Sequence, residues 1–203
     1  PAVLDVELWG CRTCGACQRG CPVYIEHVPK IVDMRRALVM TDSRMSEEVQ
    51  QLLKSMDDRM HPWVGSTRDR EEWFEDLDVK RLGDDQSAEW LFWVGCTGAM
   101  IDRNVKVTRA VAKVLRAGGV DFAVLGSEEC CTGDPARRVG GEVTFQVCAK
   151  TNLETLERYG VRKIVTACPH CFNTLKNEYP DLGGKFEVVH HSELIAELVR
   201  SGR

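Results

Sequence analysis

Hydrophobic residues along the first part of the chain recur at helical spacing. Ile31, Met34, Leu38 and Val39 fall on one face, as do Val49, Leu52, Leu53 and Met56, so the stretch from Val23 to about Arg81 is expected to be mostly helical and polar. Pro62 and Gly65 interrupt it before an acidic, aromatic run, Glu71-Glu72-Trp73-Phe74-Glu75-Asp76. That run reads as a solvated face with two aromatics turned inward, or alternatively as a docking surface for a basic partner. Residues 1–10 look like a short lead-in. Gly83-Asp84-Asp85-Gln86-Ser87 has the composition of a linker and divides the chain into segments 1–82 and 88–203.

Beyond the linker the period shortens. Trp90-Leu91-Phe92-Trp93-Val94 is a buried-strand run, and Phe122–Leu125, Ile164–Ala167 and Phe186–Val189 repeat the pattern. Amphipathic helical stretches separate these runs. One is capped by Asp102 and carries Val107, Val111, Val114 and Leu115, ending at Gly118-Gly119. A second is capped by Asp134 with Pro135 at its first turn, carries Phe145, Ala149, Leu153 and Leu156, and ends at Gly160. A short helix through Leu175 and a last one from Ser192 complete the set. Four alternations of strand and helix predict an α/β fold with a four-stranded, parallel, doubly wound sheet.

The chain has 203 residues, a net charge of −4 and no run near the roughly 18 apolar residues of a membrane span. The acidic balance argues against nucleic acid as a partner. No signal peptide is visible, so the ten cysteines read as metal ligands rather than disulfides. Because the chain begins without Met and close to a cysteine motif, it is expected to be a segment of a longer protein.

Nine of the ten cysteines form two patterns. Cys11, Cys14, Cys17 and Cys21-Pro22 have the C-x2-C-x2-C-x3-C-P spacing of bacterial ferredoxins, in which short gaps wrap a loop around one cubane. In two-cluster ferredoxins the fourth cysteine serves the other cluster, so either Cys21 closes the local cluster or, as the early start of the chain favours, this run is the second half of a split two-cluster module. The second pattern, C-x33-C-C-x36-C-x2-C, comprises Cys96, Cys130, Cys131, Cys168 and Cys171. Each member follows a predicted strand, and parallel sheets bind ligands beyond the carboxyl ends of their strands. The five are therefore expected to meet at one edge as thiolate ligands, for a [4Fe–4S] cluster or, as the alternative, for zinc. Cys148 lies mid-helix on an apolar face and reads as core filler. His190-His191 caps the last helix or supplies hydrogen bonds around the centre. Arg137-Arg138 is a solvated pair, or else tempers the charge of the centre or holds an anionic substrate.

The two motifs in this order resemble the heterodisulfide-reductase-type iron–sulfur oxidoreductases, whose cysteine-rich (CCG) domain bears the second one. The residues around Cys131-Thr132-Gly133-Asp134-Pro135-Ala136-Arg137-Arg138 and Cys168-Pro169-His170-Cys171-Phe172-Asn173-Thr174-Leu175-Lys176 are similar to the branch linked to electron-transfer flavoprotein. One departure is that Thr132 separates Cys131 from Gly133, where the family often has Cys-Cys-Gly. The resemblance implies a cubane at Cys11–Cys21 and a five-cysteine, non-cubane [4Fe–4S] cluster. It also implies electron transfer between a flavoprotein, or another redox subunit, and a quinone or thiol/disulfide acceptor. Further domains of the same polypeptide would hold it at the cytoplasmic face of a membrane. Disulfide reduction at the five-cysteine cluster and a structural zinc module are the competing readings.

Overall fold

The computed structural model describes residues 3–84 and 87–203; Asp85 and Gln86 of the expected linker lie outside the described residues. The N-terminal part contains α1 (Asp5–Gly10), α2 (Ala16–Gly20), α3 (His27–Met40) and α4 (Glu47–Arg59). The lead-in is thus partly helical. Ser46 starts α4 by accepting a hydrogen bond from the Val49 amide at 3.4 Å, and Met60 ends it in the left-handed conformation. A 3-10 helix over Thr67–Phe74 carries the acidic, aromatic run and is capped by Ser66 and Asp69. Trp73 is buried and meets Phe92 edge-on at 6.2 Å, while Glu71 and Asp76 pair with Arg81 and Arg109.

The sheet is parallel throughout but has five strands rather than four. They are β1 (Lys80–Arg81), β2 (Trp90–Trp93), β3 (Phe122–Val124), β4 (Lys163–Thr166) and β5 (Glu187–His190), in the order β1-β3-β2-β4-β5. The extra strand is two residues long, with Lys80 opposite Ala123 and Arg81 opposite Val124, too short and too charged to read as a strand. Strand order reverses beside β2, whose neighbours are β3 and β4. Both sheet faces are apolar because side chains alternate along each strand. Leu91, Trp93, Ala123 and Ile164 pack with Met56, Phe145, Ala149 and Leu156 on one face. Trp90, Phe92, Phe122, Val124 and Val165 pack with Trp73, Val111, Leu115 and Leu194 on the other.

Several helix limits move. The helix α5 (Cys96–Met100) is followed by α6 (Asp102–Ala117), in which Asp102 is the first helical residue and Ile101 the cap. Its buried face is Thr108, Val111, Ala112 and Leu115; Val107 and Val114 are exposed, one step around the helix from the expected stripe. The single helix expected from Asp134 to Gly160 is two, α7 (Asp134–Arg138) and α8 (Glu142–Arg158), with Gly133 as the cap of α7. They break at Gly140, where a Cβ would lie 2.6 Å from the backbone of Arg35 and Arg36. The remaining α-helices are α9 (Pro169–Asn173), which runs on into a π-helical turn over Thr174–Glu178 and a 3-10 turn over Tyr179–Leu182, and α10 (His191–Arg200). No helix among the described residues is long and apolar enough to cross a membrane.

Candidate metal centre

Parallel strands deliver the second cysteine set to one edge. Cys96 opens α5 three residues after β2, Cys130 and Cys131 follow β3 and a 3-10 turn, and Cys168 and Cys171 flank the start of α9 after β4. Cys96, Cys131, Cys168 and Cys171 line one cavity of about 400 Å³, together with Cys11 from the N-terminal loop. Gly95 makes the approach possible. Its φ of +77° and ψ of 156° turn the chain from β2 into α5, and a Cβ there would stand 3.1 Å from Cys171 Sγ.

The four thiols fall into two pairs. Pairing with Cys131 lowers the Cys96 thiol to about 7 despite its burial, and pushes Cys131 well above the usual thiol value. Pairing with Cys171 lowers Cys168 to about 6, helped by the backbone N–H groups of Cys171 and His170, and raises Cys171. Each pair thus sets one thiol below the usual value and its neighbour above it, and metal binding would displace the remaining protons.

Cys130, expected in the same set, turns away from the cavity. Its Sγ donates to Asn152 Oδ1 at 3.0 Å, and burial pushes its thiol up to about 12. Asn152 also donates to Cys131 O at 3.0 Å and to Tyr179 Oη at 3.1 Å, and Tyr179 Oη donates to Thr132 O. The inserted Thr132 is therefore built into the loop, with Gly133 beyond it starting α7. Met60 O accepts from Cys131 N at 2.8 Å, so the end of α4 supports the same loop. Cys148 is fully buried among the core side chains of α8.

In the N-terminal loop, Cys11 Sγ accepts from Thr13 N at 3.3 Å and Cys21 Sγ from Ile25 N at 3.4 Å. Backbone N–H groups of Ile25 and Val23 hold the Cys21 thiol below its usual range. Cys14 and Cys17 are exposed. Arg35, unremarked in the sequence, ties this loop to the larger domain. Its buried guanidinium donates to Cys11 O at 2.6 Å and to Arg138 O at 2.8 Å.

Arg138 lines the cavity and pairs with Asp134 at 3.0 Å and with Glu178. Arg137 does not line it; it pairs with Glu178 at 2.7 Å and stacks on Phe145. His190 and His191 are outside the cavity wall as well. His190 caps α10, with Nδ1 2.8 Å from Ser192 Oγ. A residue between two ligands does reach the rim: His170, whose Nδ1 is 2.9 Å from the buried Asp134 carboxylate.

A four-iron cluster suits this arrangement. Four soft sulfur donors converge from three loops, and buried donors near them lack protein acceptors among the described residues: Trp63 Nε1, Trp93 Nε1 and Arg70 Nη1. Trp63 lines the cavity, and Trp93 shares a core cluster with Cys96, Cys131 and Cys171. Orphaned donors beside thiolates are what sulfide acceptors would satisfy.

Comparison with known proteins agrees with the motif. The model of the cysteine-rich domain CCG matches residues 90–176. These residues form a CCG cysteine-rich domain. All five cysteines of the second pattern fall inside the CCG match. The chain is 41% identical to the EtfAB:quinone oxidoreductase of Syntrophomonas wolfei, over 97% of this chain and 28% of that protein. It is 44% identical to a probable membrane-anchored ferredoxin of Chromohalobacter salexigens, over 100% of this chain and 31% of that protein. It is 30% identical to one subunit of the dihydromethanophenazine:CoB–CoM heterodisulfide reductase of Methanosarcina barkeri, over 97% of this chain and 48% of that protein. The chain thus spans between 28% and 48% of the length of these relatives. No solved structure gives a significant match.

Proposed function

We propose that this chain is an iron–sulfur electron-transfer segment of an oxidoreductase, with a [4Fe–4S] cluster held by Cys96, Cys131, Cys168 and Cys171. The observation that carries the reading is the convergence of these four thiols on one cavity whose wall also includes Cys11. Cys11, Cys14, Cys17 and Cys21 hold a ferredoxin-type cluster, so two redox centres would face each other across the same space. When bound, such clusters take up and release single electrons without rearranging the protein.

The chain's own residues do the rest. Arg35 fixes the loop of Cys11 against α7, and Asn152 and Met60 fix the loop of Cys131. Residues 1–82 form a ferredoxin-type half-module whose last strand, β1, completes the sheet of segment 88–203. Cys130 stays on Asn152, which favours a four-thiolate cubane over a five-cysteine, non-cubane centre. Among the described residues no three His, Cys, Asp or Glu side chains are grouped as they would be around a bound metal ion, so the four thiols line one cavity rather than forming a closed site. The names of the relatives support a path between a flavoprotein and a quinone or thiol/disulfide acceptor, in a protein anchored to a membrane.

Anaerobic purification with iron, sulfide and zinc analysis and EPR tests the reading. Cys131→Ala is expected to lose the irons of one cluster, while Cys130→Ala keeps them. Stoichiometric zinc in place of iron would sink the electron-transfer function. Loss of the cluster in Cys130→Ala would instead favour the five-cysteine centre.

A further inference from the structure

Behind the cysteine loops lies an ion pair that neither motif includes. Arg70 sits in the 3-10 helix after Gly65, and its Nη2 is 2.5 Å from Glu129 Oε1; the two side chains are 1% and 3% exposed. The same oxygen accepts from Gly95 N at 2.8 Å, and Oε2 accepts from Val94 N at 3.0 Å. Glu129 immediately precedes Cys130-Cys131, and Gly95 immediately precedes Cys96. One carboxylate therefore links the backbones carrying two of the proposed ligands, and the guanidinium is one hydrogen bond from both.

Burial alone would force both charges out. Arg70 and two backbone N–H groups converge instead on the Glu129 oxygens, and three such donors favour a carboxylate. The Arg70 guanidinium, a group that stays protonated in proteins, meets that carboxylate directly. Through Glu129 the guanidinium lies behind the loops of Cys96 and Cys131, with little water to screen it. Its Nη1 has no protein acceptor among the described residues. A buried pair replaced by apolar residues is often no less stable, so fold stability is a weak reason to keep one here.

We propose that Arg70 and Glu129 form a positioning and charge-setting pair for the Cys96–Cys171 centre. Glu129 holds the Cys96 and Cys131 loops in register, and Arg70 raises the reduction potential of the centre. The inference rests on the iron–sulfur reading above. One-electron reduction adds one negative charge to an already anionic thiolate centre, and a fixed cation beside it favours the reduced form. Arg70 stays charged in both states, so the step takes up no proton at this pair.

The test is an EPR-monitored redox titration, with iron and sulfide counts, of the whole protein and three variants. Arg70→Met is expected to shift the midpoint of this centre to lower potential, and Arg70→Lys to leave it close to that of the unchanged protein. Glu129→Gln keeps the size and one acceptor oxygen while removing the opposing charge, and is expected to shift the midpoint upward. A purely structural pair would move both midpoints the same way or not at all, and either result overturns the proposal. Should Arg70→Met lose its iron, Glu129→Gln decides: a rise supports the proposal, and no shift or a fall overturns it. Absence of iron and sulfide from the unchanged protein would sink the iron–sulfur reading itself. An intact cluster with an unmoved potential sinks only this inference.

Discussion

Replacing Gly95 with alanine tests the closeness of the cysteine loops directly. The backbone there has φ +77° and ψ 156°, a region that only glycine occupies without strain. Forcing an alanine into it costs about 1–3 kcal/mol. The new methyl would also stand 3.1 Å from Cys171 Sγ and 3.7 Å from Cys168 Cβ. Cys171 is buried against the core, so it yields only by moving its sulfur, and such overpacking adds roughly 1–3 kcal/mol. The expected loss is about 2–6 kcal/mol, with Cys171 displaced from its position on the cavity wall. Gly160→Ala is the matched control. Gly160 has φ +61° with nothing within 4 Å of its Cβ position, so only the left-handed backbone term of about 1–2 kcal/mol applies. Urea unfolding midpoints of both variants, with iron per chain, make the comparison. If Gly95→Ala is as stable as Gly160→Ala and holds as much iron, the packing of these loops is not as described.

His61 is completely buried, and burial, followed by the charges of Arg70 and Arg59, holds its imidazole below the ordinary 6.5. A base with a depressed folded value stabilises the fold fully above 6.5, and that contribution is lost as pH falls below it. Stability measured from pH 7.5 down to 5 should therefore fall less steeply in His61→Leu than in the unchanged protein; equal slopes refute the assignment. Cys148→Ala should cost about 1 kcal/mol, as expected for trimming one buried atom, and leave iron content unchanged, because its thiol packs in the core rather than on the cavity wall. A lost cluster in that variant would make Cys148 a ligand.

Much of the α/β half was legible because its strands are runs of large apolar residues. Trp90–Trp93 and Ile164–Val165 are buried on both faces and allow no other reading. β1 was hidden because Lys80 and Arg81 take their place by pairing with β3, not by apolar content. The break between α7 and α8 was invisible because Gly140 answers to the backbone of α3, more than a hundred residues away in sequence. The cysteines of the cavity could be read from spacing alone. The direction of the Cys130 side chain could not, since it depends on Asn152, which looks like an ordinary polar residue of α8. Arg35, Arg70 and Glu129 were equally silent. Charged residues in polar stretches read as solvent-facing, and only tertiary structure turns three of them inward.

Those hidden residues share a physical role. Arg35 reaches Cys11 O and Arg138 O, Met60 O receives Cys131 N, and Arg70 reaches Glu129. All four contacts start between residues 35 and 70, and they end on a cysteine loop, on the residue before one, or on Arg138 of the cavity wall. The N-terminal helical segment therefore forms part of the wall of the centre, and its own Cys11 is held against that wall. Buried hydrogen bonds to charged groups are among the stronger polar contacts, at about 1.5–3 kcal/mol each. Such contacts resist the local opening that would vary the gap between the two proposed redox centres. A rigid gap matters for electron transfer in a way that it does not for a mobile substrate site, because the electron has to cross whatever separation the protein fixes. On the proposed reading, that requirement would account for charged side chains being buried here, where an apolar interface would hold the segments together without fixing their register.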